Sequence, residues 1–540
     1  MGVAPSPPSR STPTPKPPAS QSNSRPHILV IGGGIGGLTA AALLADRGYR
    51  VTLLEQAQVL GGCASTFQRR GFTFDVGATQ VAGLEPGGIH HRIFMELGLD
   101  LPPATPCDPA CAVYLPGETE PISVWRDPDR WKAERQRQFP GSEPFWQLLQ
   151  RLFVASWDFQ GRDPILPPRS PWDLAQLFQA LRPQTLITAP FVRSTVGDAL
   201  QWFGLAQDYR LRTFLDLQLK LYSQVNAAET ALLYAATALA VSQAPQGLWH
   251  LEGSMQVLAD RLGEALVQRG GTLGTGQKVI AIETQTQTQG QTSNPKITGV
   301  TVQDQRSQTQ YSLAADQIVA NVPVQNLVQL LPPQFPAFQG YRQRVAKLPA
   351  GSGAFVVYLG VTEAALPENC PPHLQFLYDP AGPIGENNSL FVSVSRTGDG
   401  RAPQGCATII ASSFTAIDRW QNLDRVAYQA LKQQYLAEAI DRLRPVFHLN
   451  ESTLRHQEAA TPRTFARYTD RDRGIVGGIG QRVATFGPFG FATRTPAPGL
   501  WLVGDSTHPG EGTAGVSYSA WMVVQQLVQS LPITTPSLAQ

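Results

Sequence analysis

The chain has 540 residues and a net charge of +2, which is length enough for a large core in two or more units and leaves no charge excess to hold nucleic acid. Charged residues make up 16%, below the usual ~25%, a composition that suits apolar cargo or a membrane surface and equally a chain rich in Gln and Pro. Cys63, Cys107, Cys111, Cys370 and Cys406 are few, odd in number and scattered, which argues against a disulfide framework and for a reducing compartment; Cys107 and Cys111 have no matching Cys/His pair, so no metal site is expected.

In chain order, residues 1–25 are rich in Ser, Pro, Thr and Gln and are expected to be disordered; they lack the basic-then-apolar pattern of a signal peptide. Residues 28–31 form a short apolar run that ends in Gly32, Gly34 and Gly37, in G-x-G-x-x-G spacing. A helical pattern follows over 38–47, Gly48 stops it, and a second apolar run over 51–54 closes on Glu55. Strand, glycine turn, helix, strand and acid in this order predict a dinucleotide site. Gly32 allows the tight turn, Gly34 lets backbone approach a pyrophosphate, Gly37 lets the helix pack closely, and Glu55 is placed to bond a ribose. The helix N-terminus adds unpaired N–H groups and partial positive charge. Gly61-Gly62-Cys63-Ala64-Ser65 comes next, and residues 67–77 read as a hairpin turning near Gly71.

Residues 86–245 carry apolar residues at helical spacing, among them Trp146, Leu149, Leu152 and Phe153, then Leu211, Phe214 and Leu215. Their aromatics (Trp125, Trp131, Phe145, Trp146, Trp157, Phe159, Trp172) fit either core or the lining of an apolar tunnel. The segment nearest to a membrane span, residues 230–249, is interrupted by Gln243, Pro245 and Gln246, so no spanning helix is expected. Residues 257–267 read as a helix, and 279–282, 297–302 and 317–320 as strands. The low-complexity stretch 284–295 reads as a mobile hairpin tip. Strands are expected over 353–360, 389–395 and 406–413, a helix over 427–443, a strand over 500–503, and a closing helix from about residue 515 to 517. The fold class is therefore α/β: a discontinuous Rossmann-type domain assembled from 26–85, 246–322 and 495–532. A mixed α+β substrate domain is inserted as 86–245 and 323–494, and a tail covers 533–540.

Taken together, VIGGGIGGLTAAALLADRGYRVTLLEQ, GGCAS, the hairpin ending FDVGAT and the C-terminal WLVGDSTHPGEGTAGVSYS resemble the carotenoid desaturase and isomerase family. This is the phytoene desaturase-like group of FAD-dependent, amine-oxidase-like flavoproteins. Two further runs, RIFMELGLDLPPATPCDPACAVYLPGE and LDLQLKLYSQVNAAETALLYAATALAVSQAPQGLWHLEGSMQ, look most like the cyanobacterial C-3′,4′ desaturases of myxol biosynthesis. The resemblance implies FAD, held by Gly32, Gly34, Gly36, Gly37, Glu55, Gly61, Gly62 and Val279 on the adenosine side and by Gly504, Asp505, Gly515 and Val516 along the ribityl chain and ring. Many members carry Arg or Lys after the GG pair; this chain has Cys63, which leaves the role of Arg69 or Arg70 open.

The implied activity is FAD-dependent desaturation at the end of a carotenoid, by hydride transfer to the flavin N5 and loss of a proton from the adjacent carbon. Glu85, His90, His91, His508 and Glu511 are acid/base candidates near the expected cofactor loops, with His508 and Glu85 put forward; each also has a plain reading, His508 as a loop-shaping residue, His90-His91 as the start of a solvated helix and Glu85 as the end of a strand. The implied setting is peripheral contact with the cytoplasmic or thylakoid membrane from its cytoplasmic side, with segments 185–192 and 232–241 as contact helices and a quinone or oxygen as electron acceptor. Three alternatives stay open: a non-redox cis–trans isomerase using reduced FAD, a non-catalytic prenyl-binding escort, and an amine oxidase, for which Tyr518 is a lone aromatic candidate beside the flavin.

Overall fold

The computed structural model describes residues 25–289, 292–333 and 335–533. The expected tails through residue 24 and from 534 onward, and the hairpin tip at 290–291, lie outside the described residues. A five-stranded parallel sheet runs in the order Leu500–Leu502, Gln317–Ala320, His27–Ile31, Arg50–Glu55, Thr272–Thr275, with Val30 opposite both Val319 and Leu53. Its strands come from three distant stretches of chain. The central strand is buried at every position, as a parallel sheet covered on both faces requires. Ile35–Asp46 is buried at all but its last residue, because it lies between helices Gln256–Gln268 and Thr513–Ser530. A helix apolar all round is stable only when enclosed in this way. Leu38, Leu43 and Leu44 are fully buried there, each worth roughly 1.5–3 kcal/mol.

Two elements that follow the nucleotide-binding stretches in the chain pack with the parallel sheet and its helices. Ile93, Phe94 and Leu97, on and just after helix Ile89–Glu96, pack into the core under the first helix, and Val324, Leu327, Phe338 and Val345 pack against the other face of the parallel sheet. The hairpin Thr66–Arg69/Phe72–Asp75 turns at Arg70 and Gly71, both at positive φ. The expected hairpin over 284–295 is built on paired strands, Gln277–Gln289 with Thr292–Asp304, whose ladder reaches Gln289 opposite Thr292.

The inserted segments build a seven-stranded sheet, ordered Leu454–Ala460, Ser352–Thr362, Cys406–Ala416, Ser389–Val394, His373–Leu377, Cys111–Tyr114, Ile122–Val124. Helices including Glu143–Gln160 and Tyr209–Ser223 pack against its Cys111 edge. Of the clustered aromatics, Trp131, Phe145 and Trp146 are core, and Trp157 lines the internal cavity. A buried ionic cluster joins the hairpin to this second unit. The Asp75 carboxylate pairs with Arg401 and accepts from the Met255 N–H at 2.9 Å. Arg401 also donates to Leu251 O at 3.0 Å and faces Asp399 at 3.4 Å. Asp399 in turn contacts His250 Nε2 at 2.9 Å.

Candidate functional site

One cavity of about 1740 Å³ runs between the two units. Its nucleotide end is built by the glycine turn. The Gly32 N–H donates to Leu54 O at 2.8 Å with φ at +93°, and a Cβ there would stand 2.6 Å from Asn321 O. Gly34 starts the first helix with no capping side chain, so the first-turn N–H groups have no side-chain partner. Gly34 and Gly36 line the cavity. Gly37 serves packing instead. A Cβ on it would fall 2.0 Å from Gly32 O, so its bare backbone closes the helix onto the turn. Gly61 and Gly62, both at positive φ, border the same space, and the Gly61 N–H donates to Gly33 O at 2.8 Å. Glu55 lines the cavity while accepting from the Gly33 N–H at 2.6 Å and the Ala57 N–H at 2.7 Å. Burial pushes its carboxyl up, and these N–H groups pull it back. Val279 lines the cavity where its ladder breaks before Ala281, which frees backbone for a ligand.

The far end is formed by Gly504, Asp505, Gly515 and Val516, all on the cavity wall. The closing helix begins at Thr513, earlier than expected, behind Gly512 at φ +88° and without a capping side chain. The run of glycines hid a helix start whose N–H groups are left for an acceptor. Asp505 Oδ2 accepts from Arg471 Nη2 at 2.6 Å, and Arg471 also donates to Ile475 O at 2.8 Å. Arg471 was not legible in the sequence, where it lies 34 residues from Asp505. It acts electrostatically on Cys63, whose thiol burial pushes up. Arg69 pairs with Glu458 at 3.5 Å and Arg70 forms the hairpin turn; Arg471 is thus the cation near the GGC turn. Asn321, also unforeseen, lies under the turn and donates to Gly32 O at 3.3 Å. Two uncapped helix starts, a buried acid and glycines where a Cβ would collide fit an extended dinucleotide. The residues expected to hold FAD, other than the packing residue Gly37, stand along one cavity.

The two favoured acid/base candidates do not reach this space. His508 is absent from the lining; its Nε2 contacts Gln160, and burial lowers its pKa to about 3, so it is neutral. Glu85 is buried in its own turn outside the lining, where its Cδ would lie 2.8 Å from a Cβ on Gly88. His90 is fully buried rather than solvated, bonded to Ala82 O at 2.8 Å and Ser517 Oγ at 3.1 Å. Glu511 does line the cavity. Its Oε2 accepts from Gln224 Nε2 at 2.9 Å and the Gly478 N–H at 3.2 Å, while its Oε1 has no partner. Burial raises its pKa to about 8. The Tyr518 hydroxyl donates to Gln160 O at 3.1 Å. The inserted unit adds apolar and aromatic side chains to the wall, among them Leu217, Tyr234, Val241, Phe391, Phe414 and Phe486. Of the two expected contact helices, Leu232–Ala240 is inside the molecule, with Leu232 and Ala235 in core and Tyr234 and Ala238 on the cavity.

Comparison with known proteins agrees with this geometry. The family described as flavin containing amine oxidoreductase matches residues 35–528. The chain is 28% identical to prolycopene isomerase 1, chloroplastic, of an Oncidium hybrid cultivar, over 94% of this chain and 84% of the relative. It is 26% identical to the zeta-carotene-forming phytoene desaturase of Myxococcus xanthus, over 94% and 95%. The fold is similar to that of cyclohexylamine oxidase from Brevibacterium oxydans, with a TM-score of 0.58 and 18% identity over 93% of this chain and 99% of the other.

Proposed function

The chain belongs to the flavin containing amine oxidoreductase family as an FAD-dependent oxidoreductase, and from that premise we propose that it modifies a carotenoid by introducing a C=C bond, at C-3′,4′, near the end of the polyene. The observation that carries this reading is one cavity of about 1740 Å³, lined by glycines and polar groups of the parallel-sheet unit and by apolar and aromatic side chains of the inserted unit. It exceeds the roughly 300–1,000 Å³ of a site for one drug-sized ligand, and so has room for a dinucleotide and a long apolar molecule together. The family and the names of the phytoene desaturase and prolycopene isomerase relatives support the substrate class.

When bound, FAD supplies a two-electron acceptor able to take a hydride. The chain does the rest. Glu55 and the uncapped helix starts at Gly34 and Gly512 hold and orient the cofactor. Leu217, Val241, Phe391 and Phe414 exclude water from the reacting carbons. Contact with a membrane is part of the proposal. Leu174, Phe178, Leu186, Ile187, Trp202 and Phe203 are exposed within one stretch of chain, and the cavity wall reaches the neighbouring residues 157–162. Among the described residues no helix is long and apolar enough to cross a membrane, so the contact proposed is peripheral, from the cytoplasmic side, with a quinone or oxygen reoxidising the flavin.

A second reading, cis–trans isomerisation with reduced FAD, is favoured by the name and full-length similarity of the Oncidium relative. Product mass separates the two. FAD-loaded protein is given neurosporene, lycopene, a monocyclic hydroxylated carotene or prolycopene in liposomes. A product two hydrogens lighter is expected. An isomer of unchanged mass would replace the first reading with the second, and no product from any of them with FAD bound would overturn both.

A further inference from the structure

We propose that Glu511 is the proton-transfer group of this enzyme, an inference that rests on the carotenoid-modifying reading above. Glu511 precedes Gly512, the residue from which the closing helix starts. It lines the cavity, near enough to both Asp505 and Tyr234 for charge to be felt between them. Asp505 is expected along the ribityl chain, and the Tyr234 ring meets Phe486 at 5.5 Å between centroids, so the carboxyl neighbours both the expected flavin site and an aromatic pair of the wall.

The carboxyl is held in place. Gln224 sits just past helix Tyr209–Ser223 in the left-handed region, at φ +66°, a conformation that costs a non-glycine residue free energy and is found where function over-determines it. That conformation carries its amide to Glu511 Oε2 at 2.9 Å, while its own carbonyl accepts from Lys220 Nζ at 2.8 Å. Gly477, also at φ +66°, makes room: a Cβ there would stand 2.3 Å from both Gln224 Nε2 and Glu511 Oε2. Both donors go to Oε2, so Oε1 is left without a partner and is the oxygen that carries the proton.

Lys220 approaches from the helix below and Tyr234 from helix Leu232–Ala240, and Arg471 and Asp505 face it already paired to each other. Among the described residues no cation lies within ion-pair distance of Glu511. Burial therefore dominates, and the group titrates near 8, close to the pH at which it must work, which is the condition for efficient proton transfer.

FAD, when bound, would be the two-electron oxidant, accepting a hydride with its electron pair from one carbon of the polyene. In the same step the C–H bond on the adjacent carbon breaks, its electron pair becomes the new C=C bond, and the proton passes to Glu511 Oε1, turning carboxylate into acid, so flavin reduction depends on the proton transfer. At neutral pH the carboxylate is the minor form, so the rate of flavin reduction climbs with pH and levels off above about 8.

The test uses the FAD-loaded full chain, with anaerobic stopped-flow bleaching of the flavin by neurosporene or lycopene from pH 6 to 10. Glu511→Gln is expected to slow bleaching at least about a hundredfold and to erase the rising limb, with FAD content unchanged; Glu511→Asp recovers part of the rate. A wild-type-like rate and pH limb in Glu511→Gln would overturn the proposal. Infrared difference spectra of the loaded protein without substrate provide a readout independent of turnover. A protonated-carboxyl band at pH 7 is expected, titrating away near pH 8 and absent from Glu511→Gln; its absence in wild type would also overturn the proposal. A Glu511-dependent limb that falls with pH, with products of unchanged mass, would keep Glu511 as the proton-transfer group, now donating first, and would overturn the desaturation reading instead.

Discussion

Two carboxylates, the fully buried Asp75 and the part-buried Glu511 with its Oε1 shut off from solvent, show how one physical problem takes opposite solutions in the same molecule. Asp75 is fully enclosed between the two structural units and is met by the Arg401 guanidinium and the Met255 N–H. Glu511 is enclosed on the cavity wall and is met by an amide and one backbone N–H. Burial pushes both carboxyls up. At Asp75 a paired guanidinium opposes it; at Glu511 the Gly478 N–H and the Gln224 amide do so first, with Arg471 acting from beyond ion-pair distance. A paired buried charge fastens two pieces of structure; an unpaired one stays close to neutrality and keeps a proton available. Breaking each therefore has consequences of a different kind.

Emptying the cavity without touching the ion cluster has the largest expected effect. Gly34→Val places side chain against Asn321, 2.9 Å from its Nδ2 even at Cβ, and in the path of the pyrophosphate; the purified variant is expected to lack stoichiometric FAD by absorbance. Next, Arg401→Ala leaves Asp75 buried without its cation and is expected to cost about 3–5 kcal/mol, read as a lower urea midpoint. If the midpoint does not move, the cluster does not fasten the units.

At Glu511 the sign reverses. Its carboxyl titrates near 8 when folded against an ordinary 4.5, so between those values the folded chain binds more protons than the unfolded one, and stability falls as pH rises. Glu511→Gln removes that penalty. The variant should match wild type below about pH 4.5, gain with rising pH, and level off above about pH 8 at an advantage of a few kcal/mol, measured as the difference in thermal midpoint at pH 5 and pH 9. The smallest effect is expected of Gln224→Leu, which deletes one donor to the carboxyl, costs about 1–3 kcal/mol and moves the infrared titration of Glu511 to higher pH.

The legibility of each region follows from how local its physics is. The glycine turn, Glu55 and the GG pair act within about thirty residues of one another, and strand, turn and helix periodicity carry them; the same locality made hairpin Thr66–Arg69/Phe72–Asp75 readable. The C-terminal GD motif was readable as well, but its helix start was hidden, because Gly512, Thr513, Ala514 and Gly515 look like loop by composition. The partners that decide chemistry are far apart in the chain: Gln224 and Glu511 by 287 residues and Asp75 and Arg401 by 326. The sequence singled out His508 and Glu85 by nearness to cofactor loops. Folding turned the first onto Gln160 and the second into its own turn, since nearness along a chain does not say which way a side chain faces.

By itself, then, the amino-acid sequence determined the dinucleotide cradle and the α/β class, because backbone conformation and short-range spacing are written in contiguous residues. Only the tertiary structure decided which carboxyl stands on the cavity, which is tied to an arginine and which cation serves Asp505, because burial and charge pairing depend on what distant segments bring to one point in space.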